Sequence, residues 1–76
     1  MNRLALYIHT VYVESNSVIS EIEIYNLDGK LLRKESDINQ KTSQISVDEF
    51  MSGIYLLKLK VKGKIIEKKI EVFNNP

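Results

Sequence analysis

No cysteine occurs in the 76 residues. Disulfide staples and thiolate metal sites are therefore excluded, although this does not fix the compartment. Tryptophan is also absent, which weakens any case for an aromatic platform that stacks on sugars. The one proline, Pro76, lies beyond the last expected strand. Glycine is sparse, and Gly29, Gly53 and Gly63 are too widely spaced to form a phosphate-cradling loop. His9 is the single histidine, so a His-rich metal site is ruled out. Neither sign of charge dominates. Eleven basic residues against ten acidic ones leave a net charge of +1, which gives no long-range reason to expect nucleic acid or an anionic membrane as partner. No run approaches the ~20 apolar residues of a membrane span. Arg3 precedes a short apolar run, but that run stops at His9 and Glu14 without the length or cleavage site of a secretory signal.

What the chain does contain is 43% hydrophobic and 28% charged residues, a balance that fits one small globular domain and not disorder. A chain of this size buries only about 60% of its unfolded surface, so large internal cavities are not expected.

Period-2 alternation dominates, and nothing sustains a 3.6-residue pattern. Leu4 to Val13 is the first apolar segment, with a phase switch near His9 and Thr10 that suggests a bulge or two short strands. Glu14 to Ser17 reads as a polar turn. Ser20 to Asn26 alternates cleanly, with Ile22 and Ile24 on one face and Glu21, Glu23 and Tyr25 on the other, as in a half-buried antiparallel strand. Asn26-Leu27-Asp28-Gly29 closes a hairpin, because Asp28 favours a turn and Gly29 accepts positive φ. Lys30 to Glu35 is the return strand. Ser36 to Thr42 reads as a loop, and Ser43 to Val47 as a short strand with Ile45 and Val47 inward. A turn over Asp48 to Ser52 offers Phe50 or Met51 as a plug at the core's edge. Ile54 to Val61 sets Tyr55, Leu57, Leu59 and Val61 on one face, with Lys58, Lys60 and Lys62 on the other. Gly63 permits a tight turn, and Lys64 to Phe73 pairs back. There Ile66, Ile70 and Val72 share a face with Lys68, whereas Lys69 faces away with Glu67 and Glu71. Asn74 to Pro76 reads as a frayed end. Six or seven short strands result, the pattern of a small sandwich.

Catalytic chemistry finds little purchase. His9 lies within a strand with Glu14 as its nearest carboxylate in sequence, and no serine has a nucleophile-elbow setting. Asp28, Asp37, Asp48 and Glu49 could supply oxygens to calcium, but no loop has the alternating acidic pattern of such a site. The sharpest charge feature is the set of lysines at 58, 60, 62, 64, 68 and 69 on the last hairpin. Solvated lysines protect an edge against aggregation, and a recognition role stands beside that reading. Aromatic residues do not interleave with them, which argues against nucleic acid.

Three stretches carry a resemblance. Ile22 to Leu31 resembles the "I-x-I-Y-(D/N)-x-x-G-(K/R)" hairpin of the type A C-terminal sorting domains of the type IX secretion system (also called the Por secretion system). Ser52 to Leu59 is similar to that family's "(S/A)-G-(I/V)-Y-x-(L/V)-x-(I/V)" strand. Gly63-Lys64 with Lys68-Lys69-Ile70 is similar to its closing "G-K-x-x-x-K-K-(I/V)". Order and spacing agree over roughly residues 4 to 75. Two departures exist. Only Asn2 stands where the family opens with "P-N-P", and the chain runs past the Lys-Lys strand to Asn74-Asn75-Pro76.

The resemblance implies an all-β fold, an immunoglobulin-like antiparallel β-sandwich of about seven short strands, with residues 1–76 as a single C-terminal domain of a larger secreted protein. It implies a secretion signal and not an enzyme, with no cofactor, metal, small-molecule substrate or nucleic-acid partner. The implied partners are an upstream cargo, the type IX machinery and a surface sortase. The implied route runs through the periplasm and across the outer membrane of a Bacteroidetes-type cell to its surface or beyond. Carried over by position, the recognition signal is Gly53, Tyr55, Gly63, Lys68 and Lys69, with Asp28 and Gly29 in the turn motif. Gly53 is expected to permit a backbone turn that a β-carbon would forbid. Two other readings compete. A non-catalytic accessory sandwich that binds carbohydrate or protein would need exposed aromatics, for which Tyr7, Tyr12 and Tyr25 are the candidates. A structural protein that assembles through its strands would show a concentration-dependent mass.

Overall fold

The computed structural model describes residues 10–73. Five antiparallel strands form one hydrogen-bonded sheet: β1 (Thr10–Tyr25), β2 (Leu31–Glu35), β3 (Gln40–Ser46), β4 (Gly53–Val61) and β5 (Lys64–Val72). The order is β2-β1-β4-β5, and β3 also pairs with β1. Of the phase switch expected near His9 and Thr10, His9 and the apolar run before it lie outside the described residues, and Thr10 to Glu14 pair with β3 without a shift. The tail over Asn74 to Pro76 also lies outside the described residues.

The largest difference from the sequence reading lies in β1. Glu14 to Ser17 is not a turn but the middle of a 16-residue strand. Along this strand β1 changes partners. Thr10 to Glu14 pair with Ser46 to Thr42 of β3, while Ile19 to Tyr25 pair with Val61 to Leu56 of β4. The crossing is irregular on both sides, with register shifts between Glu14 and Ile19 and between Ile19 and Glu21. Ser20 is the extra residue of the second shift, a β-bulge. Its polar groups are satisfied locally. Its hydroxyl donates to the Lys60 carbonyl at 3.2 Å, and its own carbonyl accepts from the Ile38 amide at 3.2 Å. The bulge also explains why Ile19 and Ile22, three residues apart, are both fully buried. Within the crossing, the Ser17 amide donates to the Ser15 hydroxyl at 3.2 Å.

Chain length forces β1 to fold back on itself. Seven steps join Ser46 to Gly53, a reach of at most about 25 Å. Ser46 lies opposite Thr10, whereas Gly53 lies three residues before Leu56, the partner of Tyr25. A straight β1 would separate those ends by about 60 Å. Bending at the serine-rich crossing brings the β1–β3 ladder over the inner face of the β2-β1-β4-β5 sheet. Val13, Ile45 and Val47 accordingly join Ile22, Ile24, Leu57, Leu59 and Val72 in one core. The expected all-β antiparallel fold is thus observed, with five strands among the described residues against the seven expected.

The fully buried side chains are Ile19, Ile22, Ile24, Ile45, Val47 and Val72, all β-branched, the type that packs best on a pleated surface. Ile45 and Val47 point inward as expected. β3 begins at Gln40, three residues before the expected start, which shortens the loop to four residues. In that loop Asp37 and Asn39 take positive φ on either side of Ile38, which packs against the core. Of the two plug candidates, Phe50 packs against the core and Met51 is 81% exposed.

Candidate functional site

The last hairpin is built from β4 and β5, joined by Lys62 and Gly63 at φ 51° and 74°. Two central residues at positive φ give the primed turn whose twist matches that of the strands. Nine residue pairs follow, from Val61–Lys64 to Gly53–Val72, with no register shift. Each ladder on β1 carries a shift. Opposed residues share a face, so the inner face of β5 bears Lys64, Ile66, Lys68, Ile70 and Val72. Only Val72 is fully buried there. Lys68 and Ile66 are exposed and Ile70 is half-buried. Lys69 sits on the outer face opposite Leu56, which lies opposite Tyr25 in turn.

At the start of β4, the Tyr55 hydroxyl donates to the Met51 carbonyl at 2.6 Å, and its ring lies 5.0 Å from that of Phe50. The same kind of back-bond fixes the tyrosine corner of immunoglobulin-like sandwiches. Gly53 has no positive φ, and a β-carbon there would meet the Tyr55 ring at 3.8 Å, an ordinary contact. The expectation that Gly53 permits a forbidden turn is therefore corrected. In the β1–β2 hairpin, Gly29 has φ 92° and its amide donates to the Asn26 carbonyl at 3.1 Å. The Lys30 amide donates to Asn26 Oδ1 at 2.9 Å, which clamps the turn around Asp28.

Gly53, Tyr55, Lys68 and Lys69 thus share one hairpin, with Gly63 at its far end. Asp28 and Gly29 belong to a different turn, at the end of the sheet where β4 begins. The outer face carries alternating charge in a row across four strands, Lys34, Glu23, Lys58 and Glu67, set by register. Glu21 lies 3.0 Å from Lys34 Nζ and 3.4 Å from Lys60 Nζ. The hydrogen bond from Lys34 is the main cause that holds the Glu21 carboxyl below its ordinary value, and the same contact raises Lys34. Lys58 Nζ lies 4.7 Å from the centre of the Tyr25 ring. Desolvation is the main cause that raises the Tyr25 hydroxyl, with a hydrogen bond to Glu23 next.

Sequence reasoning did not pick out the inward-facing pair Arg33 and Glu35 on the edge strand β2, 3.4 Å apart. Their places opposite Ile24 and Ile22 follow from register, which the sequence does not display. A groove of about 680 Å³ runs along Tyr12, Val13, Ile38, Gln40 and Gln44, with Tyr12 74% exposed. Tyr7 and His9 lie outside the described residues. Among the described residues, no three His, Cys, Asp or Glu side chains converge on a possible metal position.

A family model described as the secretion system C-terminal sorting domain matches residues 6–72, from ahead of β1 to the end of β5. The chain belongs to that family. The domain is a type IX secretion sorting signal, and the family is generally non-catalytic. Such a signal engages the type IX machinery and directs export to the cell surface or the extracellular space. No curated protein matches the chain.

Proposed function

We propose that the domain is an address read on its last hairpin. Lys68 and Lys69 present cations on opposite faces of β5, Tyr55 fixes the start of β4 beside Gly53, and Gly63 closes the ribbon. The observation that carries this reading is the family match over residues 6–72. The exposure of both lysines on the closing strand supports it. In this reading the cargo lies upstream and reaches the periplasm of a Bacteroidetes-type cell by its own signal peptide. The machinery moves the folded cargo across the outer membrane. A surface sortase then removes the domain and joins the cargo to anionic lipopolysaccharide, or releases it.

The test fuses residues 1–76 to a fluorescent cargo in a type IX host. The double variant Lys68→Ala/Lys69→Ala is expected to fold normally and to lose surface delivery. Normal delivery of that variant would overturn the reading.

A second reading, carbohydrate binding, draws on Tyr12 beside Gln44 in the open groove. Tyr25 serves it poorly, since Lys58 caps that ring. Glycan-array binding that is lost on Tyr12→Ala would favour it.

A further inference from the structure

Resting on the reading of the last hairpin as the recognised element, we propose that the edge of β5 away from β4, which no described strand pairs, docks one extended strand of the receptor. That strand runs antiparallel to β5 and sets an apolar residue, a carboxylate and an apolar residue, at alternate positions, opposite Ile70, Lys68 and Ile66.

Val61 and Lys64 flank a two-residue turn and are paired, so they form the hydrogen-bonded pair that closes the hairpin. Strict alternation along a ladder without shifts then turns the amides and carbonyls of Ile65, Glu67, Lys69 and Glu71 away from β4. These eight groups lie along one straight edge, the template that strand addition uses. The opposite edge is a poorer template. It is divided into β2 and β3 by the loop holding Asp37 and Asn39 at positive φ, and β2 directs Arg33 and Glu35 inward. Breaks and inward charges of this kind blunt an edge.

A strand bonded to those eight groups places its intervening residues opposite Ile66, Lys68 and Ile70. These are the non-bonded positions, where Cα atoms approach to about 4.5 Å and side chains select most strongly. Lys68, exposed between two isoleucines on its own face, favours a carboxylate flanked by apolar residues. A second copy of the chain fits worse. The antiparallel register that sets Ile66 of one copy opposite Ile70 of the other also sets Lys68 against Lys68, a like-charge pair directly opposed.

The probe is the peptide acetyl-Thr-Val-Thr-Glu-Thr-Val-Thr-amide, titrated into the isotopically labelled chain beside a version with Lys in place of Glu. The expected result is slowed amide exchange at Ile65, Glu67, Lys69 and Glu71, with the Glu peptide binding roughly fivefold to tenfold tighter. Lys68→Glu should invert that preference. Lys69→Glu, with the same change in net charge on the other face, should not. Equal binding of the two peptides, protection along β2 or β3, or a mass that rises with concentration without peptide would each overturn the proposal. Export of a Lys68→Glu fusion separates the two readings. Normal export with peptide selectivity intact removes Lys68 from the address and leaves the strand site standing. Lost export without peptide selectivity leaves the address and removes the strand site.

Discussion

Tyr55 shows how one side chain can hold a strand in place by two means. Tyr55→Phe removes the 2.6 Å bond to the Met51 carbonyl and keeps the contact with Phe50. The expected loss is about 0.5–1.5 kcal/mol, read as a lower urea midpoint with unchanged slope. Gly53→Ala adds a carbon at ordinary contact distance from the Tyr55 ring, so stability should stay within about 0.5 kcal/mol of the parent. A folded Gly53→Ala that fails to export would then locate its role in recognition. Lys62 is the opposite case, a long side chain held at φ 51°, where an L-residue costs about 1–2 kcal/mol. Lys62→Asn should recover of the order of 1 kcal/mol, since Asn-Gly is the favoured pair in this turn. An unchanged thermal midpoint would show that the turn is not strained.

Among the elements, β1 carries the outer-face charge network, and its pH dependence has a definite sign. Glu21 titrates lower in the fold than in the unfolded chain. Its contribution is therefore complete above the ordinary value of 4.5 and is lost as pH falls through the lowered one. Lys34, raised above 10.5, contributes fully below that value and loses its contribution as pH rises through the raised one. The stability gap between the parent and Glu21→Gln should be present at neutral pH and vanish on strong acidification. A gap that stayed constant down to about pH 2 would overturn the assignment. The β1–β2 turn was legible from Asn26 to Gly29, and the β4–β5 hairpin from its alternation and Gly63, because local chemistry decides both. The Lys68 face followed from parity alone. The middle of β1 was not legible. Serines and Asn16 give a loop signal by composition, but here they span a bend imposed by tertiary packing. Two isoleucines at 19 and 22 were the available sign of a bulge, since a regular strand would place them on opposite faces. Ile38 was hidden likewise, although Asp37 and Asn39 tolerate the left-handed backbone that tucks it in.

At the scale of the molecule, the core is small and shared between both layers. A domain of this size has total stability of about 4–11 kcal/mol, and Ile22→Ala should remove about 2–5 of it. Its unfolding midpoint should fall steeply, or the variant should fail to fold. The doubled-back course of β1 also sets an order of events. Ile19 has as its partner Val61, and the fully buried Val72 belongs to the end of β5. During synthesis, the second half of β1 must therefore wait, unpaired with β4, until Val61 has left the ribosome, and the core stays incomplete until Val72 follows. A translation product that stopped short of Val72 would carry no finished label, however well its earlier part had folded. A sorting signal made this way certifies that its own closing strand was translated before export begins.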